Sequence, residues 1–420
     1  MIKNYQHKYI YLGIFFICLL SRLLFKLVSG YDNFELFGDS PRYDMLSDRI
    51  LEGNFDLDIV AFIPAPFYIY FLALCKSISA AQWELIAVMV QFFMVSVSSV
   101  YIYKLTFLLS KSVPQSILAA LVYIAYPFTL YFNFTLSQET LFQSFFIIFL
   151  YYFFINTYSV TLKHTLLSSL FFALSLLTKS HIVILLPMIA VITMKQTGLK
   201  KSVYFFTILF LFTIPHGLIN YKIHGVYTLS SYGSNSILLA GHSDETYPCL
   251  TKEYYNHPEL NDEVCNLNIV FHRPYKLKNF GNINALPLKE RNQKWREAAF
   301  FWIKTNPAKF WELKWNGFKR FILPGLDFRV YPNTIWIMSF LMGLLIYVPA
   351  YVSFYKKLKK DFWQHAITLS VIISIGIIFI GLYPQHRFRI ITLEPLLIVY
   401  ASFFYWNFIY NMYKKRRPTA

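Results

Sequence analysis

The sequence predicts an all-α polytopic membrane protein, and three observations carry that prediction. Hydrophobic residues fill 56% of the 420 positions and charged residues only 15%, with a mean hydropathy of +0.44, whereas soluble domains carry roughly 25% charge. Apolar runs of membrane-spanning length recur along the whole chain. The basic excess behind the net charge of +17 falls mostly in short loops between those runs. That is the pattern of membrane topology, not of nucleic-acid binding. A β-barrel is excluded because its segments would alternate apolar and polar over about ten residues.

Placing the basic clusters in the cytosol orders the elements consistently. The first span, about 9–28, follows Lys3 and Lys8 and runs outward; it is too long for a cleavable signal and has no small-residue cleavage site after it. Residues 29–83 then lie outside, with 64–79 a short apolar helix in the outer interface. Spans follow near 84–107, 114–131 and 140–158, with Lys104 and Lys111 at the end of the first and Lys163 after the third. The runs 164–178 and 181–194 read as a hairpin of short helices meeting at Lys179-Ser180-His181, with Lys195, Lys200 and Lys201 behind it. A span near 203–219 leads into a polar loop, and spans near 333–355, 364–382 and 388–410 complete about ten hydrophobic helices with both termini cytosolic. Three regions result: an N-terminal membrane module (1–219), a small mixed outer-face domain (220–331) and C-terminal membrane helices (332–420). The outer domain carries 15 Lys/Arg against 10 Asp/Glu, which is compatible with an outside location because the charge rule weakens in loops beyond about 60 residues. Its second half, roughly 289–322, reads as amphipathic and helical, with Trp295, Trp302, Trp311 and Trp315 suited to the membrane interface.

The outer face gathers the chemistry. In Gly38-Asp39-Ser40-Pro41, Ser40 can cap a helix, Pro41 suits its first position and Gly53 can end it. Asp39 then sits at the positive end of that helix and is kept ionised, either as a mere cap or as a base. Glu139 opens another helix, as a dipole-compensating acid or as a cavity residue. Lys179 and His181 lie at the hairpin tip, where a charge is expensive unless it meets a partner or a water-filled cavity. His386, Arg387 and Arg389 precede the last helix, where forked guanidiniums can hold a phosphate or simply anchor at the interface. Asp44 and Asp48 share a helix face and read either as merely solvated or, with Asp32 and Glu35 nearby, as carboxylates that could hold a divalent cation, but no spacing specifies one, and no zinc, P-loop or dinucleotide motif is present. His216, His224, His242, His257 and His272 lack ligand spacing and read as structural. Cys18 and Cys75 fall in apolar helices, while Cys249 and Cys265 lie in the outer loop, where an oxidising compartment permits a disulfide.

These outer-face segments, in order, resemble the C-type (GT-C) membrane glycosyltransferases, the superfamily of bacterial protein O-mannosyltransferases and aminoarabinose transferases. Gly38-Asp39-Ser40 with Tyr43, then Leu51-Glu52-Gly53, looks like the first outer loop of that family. Pro64-Ala65-Pro66-Phe67-Tyr68 is similar to its interfacial helix, with Ala65 a departure, and Leu136-Ser137-Gln138-Glu139 to its second outer loop. Leu177-Thr178-Lys179 resembles Leu-Thr-Arg with Lys in place of Arg; Ile219-Asn220-Tyr221 with Gly225, Ser231 and Gly233 is similar to the segment leading into the large outer loop, and His386-Arg387-Phe388-Arg389 resembles the basic-aromatic motif before the last helix.

The resemblance implies a GT-C fold and sugar transfer from a polyprenyl-phosphate donor lipid to a glycan, lipid or protein acceptor at the outer face of a bacterial plasma (inner) membrane. It implies Asp39 as the base of a single inverting displacement, with Glu139 beside it. Arg42, Tyr43, Lys179, His181, Asn220, His386, Arg387 and Arg389 would form the substrate site, with no certain cofactor. A transporter or lipid flippase also needs intramembrane charge; against it stand the absence of an inverted repeat and the clustering of charge at one face.

Overall fold

The computed structural model describes residues 4–29, 39–59, 62–159, 161–244, 246–251, 276–277, 281–326 and 333–416. In chain order the first helices are α1 (Asn4–Ser29), α2 (Ser40–Leu51), α3 (Phe67–Ile78), α4 (Trp83–Ser110), α5 (Val113–Ala125), α6 (Pro127–Asn133), α7 (Glu139–Tyr158) and α8 (Leu162–Thr178). A 3-10 turn, Ser180–Leu185, continues into α9 (Leu186–Thr197), followed by the long α10 (Leu199–His224). The outer domain contributes α11 (Ser234–Ala240), α12 (Tyr247–Thr251), α13 (Leu288–Thr305) and α14 (Pro307–Ile322). Its two-residue strands β1 (Lys276–Leu277) and β2 (Gly281–Asn282) pair antiparallel, Lys276 opposite Asn282. The chain closes with α15 (Asn333–Lys360), α16 (Phe362–Gly381), α17 (His386–Thr392) and α18 (Glu394–Arg416).

Among the described residues, seven helices are long and apolar enough to cross a membrane, or nine when each of two bent pairs counts as one span. With the 17-residue α8, these are the ten hydrophobic helices read from the sequence. The two bends, α5–α6 and α17–α18, are 56° each, and each precedes a proline (Pro127, Pro395) that lacks an N–H and crowds the preceding turn. Leu12, Phe16, Leu20 and Leu24 form one stripe along α1 and are 46% to 59% exposed. An apolar stripe of that length suits lipid rather than water.

α7 is the central helix: 78% of its apolar window is buried, against 17% for α1. Helices before and after the outer domain share one core, from Ile14 and Phe146 to Ile391 and Tyr400, so the two membrane regions form a single body. In lipid the hydrophobic effect does not draw helices together, and polar ties matter more. Buried Arg22 donates from Nε to Asn133 Oδ1 (3.0 Å) and from Nη1 to the Ile124 carbonyl (2.8 Å), joining α1 to the α5–α6 bend. Glu394, at the α17–α18 bend, accepts from Tyr126 (2.5 Å), Tyr347 (2.6 Å) and Arg389 (3.1 Å).

The expected helical stretch 289–322 is two helices, broken at Asn306-Pro307. Its tryptophans divide. Trp295 and Trp302 are buried in the cores of the outer domain, while Trp311 and Trp315 are 69% and 59% exposed; only the latter two suit the interfacial role. α14 packs backbone to backbone on α16, because a Cβ at Gly317 would overlap the Phe379 carbonyl oxygen. Gly317→Ala should therefore destabilise the fold by about 1–3 kcal/mol, read as a lowered melting temperature in detergent. An unchanged melt would show that the two helices can separate freely.

Outer segments are stitched over the membrane body. Ile63 and Tyr232 exchange backbone hydrogen bonds at 2.8 and 3.0 Å, Arg291 pairs with Asp58 at 2.5 Å, and His224 meets Asp56 at 2.9 Å. Cys249 is disulfide-bonded; its expected partner Cys265 lies outside the described residues, as do Asp32, Glu35, His257 and His272.

Candidate functional site

Four charged residues distant in sequence meet where helix ends converge. Asp39 precedes α2, Glu139 is the first residue of α7, Lys179 follows α8, and Arg387 lies in the first turn of α17. Arg387 Nη1 is 2.9 Å from Asp39 Oδ2 and 3.5 Å from Glu139 Oε1, and Lys179 Nζ is 2.6 Å from Glu139 Oε1. The Phe388 ring lies 5.3 Å from Lys179 Nζ and 5.8 Å from the Arg387 guanidinium carbon. The charges therefore alternate, with each carboxylate touching a cation. Removing either cation would leave a carboxylate short of compensation in a mostly buried setting.

Local structure explains why Asp39 is available. The helix begins at Ser40, one residue earlier than the expected cap placement, and Pro41 occupies its second position. Ser40 does not cap; its hydroxyl donates to the Leu136 carbonyl at 2.6 Å, binding the first outer loop to the second. Asp39 holds the cap position yet makes no side-chain cap, forgoing a bond of typically about 1 kcal/mol, and turns its carboxylate to Arg387 with Arg42 at 3.4 Å on its other oxygen. Gly53 follows the helix with φ +80°, the left-handed conformation expected of a glycine stop.

Burial alone would raise the Asp39 pKa, but the charges of Arg387 and Lys179 outweigh it and hold the carboxyl below its ordinary 3.8. A depressed carboxyl contributes stability that is present above the unfolded value and is lost as pH falls through the folded one. Tyr43 moves the other way: burial, then Asp39 and Glu139, push its hydroxyl well above 10.0, so it remains a proton donor. With its amide oriented to satisfy both ends, Gln138 accepts from Tyr43 Oη (2.8 Å) and Lys179 Nζ (3.2 Å) and donates to the Thr178 carbonyl.

The quartet stands at a cavity of about 500 Å³. Asp39, Tyr43, Lys179, His181 and Arg387, all named from the sequence, line it. Glu139 sits behind Lys179, and Arg42 beside Asp39. Within the cavity wall, Arg387 is the accessible cation, its side chain 32% exposed, against 5% for Lys179. His181 bonds Thr392 Oγ1 at 2.8 Å between the rings of Phe142 and Phe388, each 4.8 Å away.

Three expected substrate residues lie elsewhere. Arg389 is fully buried and bonded to Glu394 and to the carbonyls of Arg320, Leu323 and Gly325. Two residues apart on a helix, Arg387 and Arg389 cannot share a face; one meets the cavity and the other fastens α17. Asn220 bonds His216 at 2.9 Å within α10, and the His386 ring packs against Phe379. Neither lines the cavity. Asp44 and Asp48 are not simply solvated: Lys76 holds them at 2.6 and 2.5 Å. No group of three or more His, Cys, Asp or Glu suited to a metal occurs among the described residues.

Gln138, Ser231 and Gly233 were legible only as members of motifs, with no role of their own. The rest of the wall formed by Thr228 to Leu238 was missed, because hydroxyls after a span read only as irregular chain. Neither a scan against protein-family models nor a search of curated proteins finds a match to this chain.

Proposed function

We propose that this chain is a membrane glycosyltransferase of GT-C type, moving a sugar from a polyprenyl-phosphate donor to an acceptor hydroxyl. The observation that carries the reading is the convergence of Asp39, Glu139, Lys179 and Arg387, from segments as far apart as residues 39 and 387, on one polar end of a largely apolar cavity. Such a cavity suits a lipid with a single anionic head. The disulfide at Cys249 supports an oxidising outer compartment for the 220–331 domain, in keeping with an active site on the outer face of a bacterial inner membrane and cytosolic termini.

In this mechanism Asp39 accepts the proton of the acceptor hydroxyl as its oxygen attacks the anomeric carbon. The bond from that carbon to the phosphate oxygen breaks with inversion, and the phosphate leaves with the bonding pair. Arg387, the accessible cation, compensates the leaving charge, while Glu139, itself paired with Lys179, holds Arg387 from the other side. Binding of the phosphate draws Arg387 from Asp39 and so restores the proton affinity that the ion pair suppresses. Arg389 has no part in the phosphate site.

The test is sugar transfer from a labelled polyprenyl-phosphate donor by purified protein. Asp39→Asn should lower the rate on the order of 10²- to 10⁴-fold, and the acid limb of the wild-type kcat/KM, which reports the free enzyme, should fall below pH 3.8, following the lowered pKa of Asp39. Full activity of the variant would sink the mechanism, and no transfer by the wild type from any donor would favour transport.

A further inference from the structure

The cavity wall carries two chemically different sets of groups. The charges, Asp39, Lys179 and Arg387, form one set. The segment after α10 presents the other, neutral and polar: Thr228, Ser231, Tyr232, Ser234 and Asn235, joined by Ser180 from the hairpin. These groups are set by their own bonds. Asn235 donates its amide nitrogen to the Asn292 carbonyl at 3.1 Å, which turns the amide and leaves Oδ1 as an acceptor. Ser231 donates to Ser180 Oγ at 2.5 Å, which leaves the Ser180 hydrogen to be donated onward. Thr228 donates to the Ser231 carbonyl at 2.7 Å, and the Ile63–Tyr232 backbone pairing fixes the same segment from the other side. The result is a held set of hydroxyl and amide groups, partners suited to a polyhydroxylated ring.

We propose that this wall, centred on Ser231 to Asn235 with Ser180, is the subsite that reads the transferred sugar, and that the sugar it takes is uncharged. The inference rests on the glycosyltransferase reading and deepens it. A ring amine would need a carboxylate, yet Glu139 already meets Lys179 and Arg387, and Asp39, once the phosphate draws Arg387 away, is committed to the proton of the acceptor. A ring carboxylate would need a cation, and would compete with the donor phosphate for Arg387. A neutral ring makes no claim on either carboxylate or on Arg387 and finds hydroxyl and amide partners.

The experiment offers the wild-type protein three polyprenyl-phosphate donors with one lipid: a neutral hexose, an amino sugar and a uronic acid. Initial rates are compared, and binding of the bare polyprenyl phosphate is measured in parallel. The neutral sugar should be transferred, and each charged one on the order of 100-fold more slowly, because an unpaired charge is penalised in a desolvated site. Asn235→Asp, which adds a carboxylate to the wall, should shift the ratio of rates toward the amino sugar; Ser234→Ala, at an exposed position, should raise KM for the neutral donor with little change in kcat. Transfer of a charged sugar as fast as the neutral one, still abolished in Asp39→Asn, would overturn this inference and leave the glycosyltransferase reading standing. Absence of transfer from all three donors, with polyprenyl phosphate still bound, would overturn both.

Discussion

Replacing Arg387 with alanine is expected to lower stability by roughly 3 kcal/mol and to abolish productive donor binding. The guanidinium bridges two carboxylates, at 2.9 and 3.5 Å, and the Glu139 side chain is only 3% exposed. Removing one member of a buried ion pair costs about 3–5 kcal/mol because the other charge remains desolvated. The low end applies here, since Arg387 is 32% exposed and Lys179 still neutralises Glu139. Arg387→Lys restores the charge but not the planar fork that reaches two acceptors, so it should recover part of the stability and little of the donor affinity. Thermal unfolding in detergent and binding of labelled polyprenyl phosphate read the two effects separately. An alanine variant that melts with the wild type would show that the quartet is not the charge centre drawn here.

The second large effect belongs to a residue that contacts no substrate. Glu394 is 1% exposed and receives three donors, from Tyr126, Tyr347 and Arg389. Glu394→Leu should cost about 3–5 kcal/mol, because the fully buried Arg389 loses its counter-charge. The double variant Glu394→Leu with Arg389→Met should be less destabilised than Glu394→Leu alone, since no uncompensated charge is left inside. Equal or additive losses in the melting series would show that the two residues act independently.

The membrane helices were legible because lipid imposes a length and an apolar composition that any reader of the chain can measure. Their breaks are marked by Tyr126-Pro127 and Asn306-Pro307, which interrupt an apolar and an amphipathic run, although 114–131 and 289–322 were each read as unbroken. Asp39, Glu139, Lys179 and Arg387 stood out because ionisable residues at membrane depth are rare and need partners. That Arg387 and Arg389 cannot both face the cavity was also within reach, from helical geometry alone. What lay beyond the sequence was Glu394. Its partners come from α5–α6, α15 and α17, and no spacing along one helix brings Tyr126 and Tyr347 to a single carboxylate. Most of the wall from Thr228 to Leu238 was hidden for a different reason: apart from Ser231 and Gly233, which fell in a motif, its hydroxyls gain meaning only from the cavity they line.

The placement of Arg387 also sets a timetable. Lys179 reaches Glu139 from only 40 residues further along, so that pair can close early in synthesis. Asp39 must wait for Arg387, 348 residues later, which at 5–20 residues per second is about 20–70 s on the ribosome. The centre therefore closes only when α17 and α18 have joined the bundle. A chain stopped short of that point carries every other part of the site and no salt link between its first outer loop and its last helices.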